Sequence, residues 1–283
     1  MALAFSYNGV DLGGTTYGLT LAKTENVLGP ASKINMVDVA FRPGAYTFDR
    51  FAQVRSFSLN CAVEGTSSSN LMTKLDSIAL ILNEARPKQL IFDFQTDRYY
   101  MAQLGEGGIE RVHVGALAAK ISIPFVCADP HAYSTTLTTQ TEVPFTSGSA
   151  FDIPDGGGVV AGSAIIEPVI YVKPADAGGT ITAAITLAMS PQGKTATQTL
   201  DFVCGADKWF RLHSGLKRWQ TATGGSGATP PTSGWTDAMS GFSGEFPLLT
   251  PGVENLLTIT TGTSGGAGNA RNVAVIVYRA RYL

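Results

Sequence analysis

The chain has 283 residues, longer than the ~100 to 200 of a typical domain, so two domains are expected. Charged residues make up 15%, against ~25% in an average soluble protein, and net charge is -2, split evenly at 11 Lys+Arg to 12 Asp+Glu over residues 1–133 and 9 to 10 over residues 134–283. Neither half is basic, which excludes tight binding of a phosphate backbone by charge neutralisation.

From Met1 to about Arg55, short apolar pieces alternate with the turn pairs Asn8-Gly9, Gly13-Gly14, Gly29-Pro30 and Pro43-Gly44, a pattern of several short strands. Met1 through Gly9 has neither a basic start nor an apolar stretch, so no secretion signal is read there, and no apolar run is long enough to insert in a membrane. Arg55 to Glu64 alternates with period two. A period near 3.6 then begins at Leu71, Leu75, Ile78 and Leu82, which predicts one helix over about Asn70 to Ala85 with these four as the core stripe. Ser69 or Asn70 is the expected cap, and Pro87 disfavours helical geometry at Arg86. Leu90 to Leu104 reads as a β-hairpin and Ala119 to Val126 as a strand closing the first domain.

Beyond Ser134 the chain is rich in Thr, Gly and Pro, with strand candidates at Ala164 to Val172, Thr180 to Met189, Thr197 to Cys204, Trp209 to Leu212, Leu256 to Thr260 and Asn272 to Tyr278. This spacing predicts a second β domain, a sandwich or jelly roll. Cys61, Cys127 and Cys204 each lie in an alternating apolar pattern and read as buried free thiols, in keeping with assembly in a reducing host cytoplasm.

Catalytic signals are weak. Gly262-Thr263-Ser264-Gly265-Gly266 has the letters of a nucleophile elbow but no helix after it, so a hairpin loop is expected. His113, His131 and His213 are scattered without metal-ligand spacing, Asp129-Pro130-His131 reads as a turn, and Asp93 and Asp97 as solvated acids at a hairpin tip. The expectation is a non-enzyme without metal or cofactor. Lys208-Trp209-Phe210-Arg211 and Lys217-Arg218-Trp219 interleave cations with aromatics, and Trp219, Trp235 and Phe242 flank or occupy a nearly uncharged loop. Those three are the candidate contacts for a partner protein or a host glycan.

Pro124 to Tyr133 (PFVCADPHAY) is similar to the stretch that closes the first domain of siphophage distal tail (Dit) proteins. Phe5, Asn8, Gly9, Asp11 and Leu12 resemble that family's F-x-x-N-G-x-D-L start, and Phe246-Pro247-Leu248-Leu249-Thr250-Pro251-Gly252 its F-P-x-L-x-P-G stretch. Asp176 to Gly244 departs from the family pattern. The resemblance implies a mainly β fold: an N-terminal β-sandwich belt domain (1–133) with one helix and a hairpin, then a galectin-like β-sandwich (134–283). It further implies a homohexameric hub ring at the distal end of the virion tail. Such a ring joins the tail tube protein to tail-tip, tail-associated or receptor-binding proteins and lets DNA through its lumen without specific binding. The alternative reading is a carbohydrate-binding β module of a virion component that recognises the host surface through Trp219 or Trp235.

Overall fold

The computed structural model describes residues 3–25, 30–38, 45–145, 150–154, 158–173, 181–190, 196–204, 208–224, 229–238, 242–243, 246–253, 255–261 and 272–283. The chain divides into two compact units, Met1–Thr135 with Leu283, and Thr136–Tyr282. It is mainly β with a single helix among the described residues, the fold class that the alternation predicts.

The first unit contains β1 (Phe5–Tyr7), β2 (Val10–Asp11), β3 (Leu19–Glu25), β4 (Ser32–Asp38), β5 (Ala45–Ala52), β6 (Arg55–Glu64), α1 (Ser68–Leu82), β7 (Lys88–Phe92), β8 (Arg98–Leu104), β9 (Glu110–Val114), β10 (Ala118–Cys127) and β11 (Ala132–Ser134). Its main sheet runs β2-β1-β7-β8-β10-β6-β3, with β9 added to β10 and β11 to β8. Asn8 and Gly9, at φ 53° and 77°, make the tight turn between β1 and β2, a conformation that asparagine and glycine tolerate best. In β6 every second residue is buried, from Arg55 through Phe57, Leu59 and Cys61 to Val63, so the period-two pattern is the imprint of one covered face. Phe5, Tyr7, Phe57, Phe92, Tyr100 and Phe125 form a chain of aromatic contacts 4.9–6.5 Å apart through this core. Pro124 sits in β10 where one flank passes from β9, which ends its pairing at Ser122, to β8, which begins at Phe125. A residue without an N–H is accommodated at that gap.

The helix begins two residues before the expected position. Ser67, not Ser69 or Asn70, is the cap: its Oγ accepts from the Asn70 N–H at 3.1 Å, while Asn70 Oδ1 accepts from the Thr66 N–H at 3.2 Å. This reciprocal pair satisfies donors that the first turn would otherwise leave open. Gly65 allows the approach, because a Cβ there would lie 2.8 Å from the Leu71 Cα. At the other end Asn83 leaves helical geometry (φ -81°, ψ 56°), so α1 stops at Leu82 instead of Ala85 and the chain turns into β7. Leu71, Leu75, Ile78 and Leu82 are the buried residues of α1 and together contribute on the order of 6 to 12 kcal/mol before entropy.

Cys61 and Cys127 are buried free thiols, and burial pushes each up to about 12, opposed at Cys127 by the Arg55 charge. The Cys204 side chain lies outside the described residues. A thiol whose folded value exceeds its unfolded value of 9.0 stabilises the fold fully below that pH and loses the contribution as pH rises toward 12. The native protein is therefore expected to resist iodoacetamide at Cys61 and Cys127 at neutral pH and to become labile above about pH 9. Mass mapping of alkylated peptides checks this.

The second unit contains β12 (Thr138–Phe145), β13 (Ala150–Ile153), β14 (Val169–Lys173), β15 (Ile181–Ser190), β16 (Ala196–Cys204), β17 (Lys208–His213), β18 (Arg218–Thr223), β19 (Thr236–Asp237), β20 (Phe242–Ser243), β21 (Asn255–Thr261), β22 (Asn272–Tyr278) and β23 (Arg281–Tyr282). One sheet runs β12-β22-β14-β17-β18-β19 and another β13-β21-β15-β16-β20. Between them lies a core of Ile170, Val172, Phe210, Leu212, Trp219, Ala274 and Ile276 from the first sheet and Ile153 and Leu257 from the second. This unit is a two-sheet sandwich.

Candidate interaction surfaces

The candidate chemistry resolves into structural roles. His131 Nδ1 lies 2.7 Å from Asp129 Oδ1, which also accepts from the His131 backbone N–H at 3.1 Å, and the Tyr133 hydroxyl donates to Asp129 Oδ2. One carboxylate thus gathers three groups of the segment after β10, and Tyr133 stacks on Tyr99 at 5.6 Å. Asp93 Oδ2 accepts from the Ala4 N–H at 3.1 Å and ties the hairpin to the N-terminal strand, whereas Asp97 pairs with Arg98 at 3.2 Å. The two acids do not share a pocket. Among the described residues no three His, Cys, Asp or Glu side chains converge as a metal site, and no helix is long and apolar enough to cross a membrane. Gly262 to Gly266 falls outside the described residues.

The three aromatic candidates part company. Trp219 is a correction: it is 2% exposed, stacked on Phe210 at 5.3 Å in the sandwich core, and cannot present a contact surface. The cation-aromatic run is a β-hairpin, and its register, with Trp219 opposite Leu212, turns Trp219 inward. Trp219→Ala is accordingly expected to cost the second unit about 3 to 5 kcal/mol, read as an earlier urea transition of that unit. Trp235 is only partly buried. Its Nε1–H donates to the Pro231 carbonyl at 3.1 Å, and the Arg211 guanidinium lies 4.4 Å from its ring centroid. Phe242 lies in β20, which pairs with β16, and its side chain is outside the described residues.

A further surface had no distinct signal in the sequence. β4 and β5 pair with each other and with no other described strand. Every residue from Lys33 to Asp38 is exposed, including Ile34 at 47%, Met36 at 60% and Val37 at 51%, and Tyr46 and Phe51 on β5 are exposed to 47% and 52%. Alternating apolar residues in β4 read like an ordinary core strand, which is why the exposure was not legible.

The motifs that carried the family resemblance hold the two units together locally. Phe5 and Leu12 are fully buried, with Asp11 Oδ1 accepting from the Gly13 N–H at 2.8 Å between turn and strand. Leu249 is fully buried and bridges to Ile166, Gly252 takes φ 74°, and the Asn255 amide fixes Thr250 and Val253.

Residues 11–127, nearly all of the first unit, match the family described as phage tail protein RIFT-related domain. The chain carries a phage tail protein domain. Among solved structures, the Dit protein of phage SPP1 shares the fold of the tail protein over 100% of both chains, with a TM-score of 0.74 at 14% identity. That protein is described as a paradigm of the hub of the adsorption apparatus in phages infecting Gram-positive bacteria. Chains of the activated phage P2 baseplate, with Ca or with Sr, match at 9% identity and TM-scores of 0.48 and 0.49, covering 99% and 98% of this chain and 98% and 97% of theirs. No curated protein is matched by the sequence. The resemblance to siphophage distal tail proteins read from the motifs is borne out, and the tail protein is a structural component of a phage tail.

Proposed function

We propose that the tail protein is the hub at the distal end of a long non-contractile tail. Six copies close a ring that joins the tail tube to tail-tip or baseplate proteins and passes DNA through its lumen, with assembly in the host cytoplasm. The observation that carries the reading is agreement with SPP1 Dit along the whole of both chains, in a protein whose first unit matches a phage tail domain.

The β4–β5 hairpin supports self-association. A two-stranded ribbon is marginal in water by itself, and one with five exposed apolar side chains gains by burial against another surface. Contact between this ribbon and a different surface of the next copy is head-to-tail, the geometry that generates rings when the rotation closes. The near-neutral charge suits a conduit, since a basic lining would retain DNA. Negative-stain images of the purified chain, with a mass measurement, test the reading: six-fold rings at six times 29.7 kDa are expected. A chain that stays monomeric at high concentration, alone and with tube and tip proteins added, sinks it.

A further inference from the structure

The outer face of the six-stranded sheet in the second unit carries an ordered polar and aromatic array that ring formation does not use. Strand register places Tyr171, Arg211, Gln220 and Asp237 in one row across β14, β17, β18 and β19, with Val169, His213 and Arg218 in the next. Lys173 lies two residues from Tyr171 and therefore on the same side. Trp235 covers the first row, with Arg211 at 4.4 Å and the Tyr171 ring at 5.7 Å.

The array is held in place from several directions. Arg211 donates from Nε (3.0 Å) and Nη2 to Gln220 Oε1, and Gln220 Nε2 donates to Asp237 Oδ1 at 2.8 Å. Trp235 is pinned by its bond to Pro231 and by Gly234, whose φ of 79° sets the turn before it. Three of the five guanidinium hydrogens of Arg211, and Asp237 Oδ2, have no partner among the described residues. Arg218 is exposed and likewise has none among them. His213 accepts at Nδ1 from the Leu216 N–H, and burial, then the Arg211 charge, holds it below its ordinary value, so at neutral pH it offers an Nε2–H donor without a charge. Nearby Glu167 is paired with Arg281 at 3.4 Å. The face thus sets Lys173, Arg211 and Arg218 against the single carboxylate Asp237.

We propose that this face binds an acidic saccharide chain. Aromatic rings take the C–H faces of sugar rings, and the open edge of a planar guanidinium matches a carboxylate or phosphate in a two-bond geometry. Asp237 Oδ2 accepts from sugar hydroxyls, and Arg218 and Lys173 carry the charge of adjoining units. Because the array is already ordered, little side-chain freedom is lost on binding.

Calorimetric titration of the full chain with a defined oligogalacturonate, at low and at high salt, tests this. Binding is expected that weakens with salt, falls about tenfold or more in Trp235→Ala and in Arg218→Glu, and exceeds that of a malto-oligosaccharide of equal length. Arg218 is exposed, so its variant keeps the test decisive where Trp235→Ala does not fold. No heat of binding, undiminished binding in the variants, or equal binding of the neutral sugar or of a single-stranded DNA of equal charge overturns the proposal. The outcome is independent of ring formation, which is read by mass.

Discussion

Leu75→Asp is expected to leave no soluble protein. Leu75 sits at the centre of the buried stripe of α1, between Leu71 and Ile78, all three no more than 6% exposed. A carboxylate there loses the ~1.5 to 3 kcal/mol of a buried leucine and adds the larger penalty of an unpaired charge in an apolar site. The sum takes up a large share of the ~5 to 15 kcal/mol by which a domain is stable. Expression of Leu75→Asp beside Asp76→Asn, a change on the exposed side of the same helix, separates core from surface. A soluble Leu75→Asp protein whose first unit melts as wild type would show that the stripe is dispensable.

How far the sequence foretold the fold depended on whether a residue's environment is local. The alternation of Arg55 to Glu64 and the 3.6-residue period after Ser67 are legible because each records one covered face. The helix start was misread because Ser67, Ser68, Ser69 and Asn70 can all cap, and the choice is made by the contact of Gly65 with Leu71 and by the use of Asn70 in the opposite direction. Strand β12 escaped notice for a related reason: Pro144 interrupts the pattern, and its place on an edge strand with a register shift between Glu142 and Phe145 is a tertiary fact. Trp219 and Trp235 looked alike as aromatics beside cations. Only the pairing of β17 with β18 decides that one is core and the other lies on the outer face.

The ribbon of β4 and β5 yields the second large effect. Replacing Ile34, Met36 and Phe51 together by Ser, Lys and Ser is expected to leave the fold of the monomer unchanged and to abolish the ring. All three side chains are about half exposed, so their loss costs the isolated chain little, within the ~0.5 kcal/mol typical of surface changes. In an assembly that covers them, the same loss removes on the order of 4 to 9 kcal/mol per contact, roughly a thousandfold or more in affinity, at every one of the equivalent interfaces. A closed ring amplifies this, because each copy contributes the ribbon once and receives it once. The readout is paired: an unchanged thermal transition shows an intact chain, and sedimentation shows its assembly state. Six-fold particles that persist in the triple variant would assign ring closure to the remainder of the first unit and leave the ribbon available for a tube or tip protein. Monomers with a wild-type melt would make the ribbon the element that turns a folded chain into a hub.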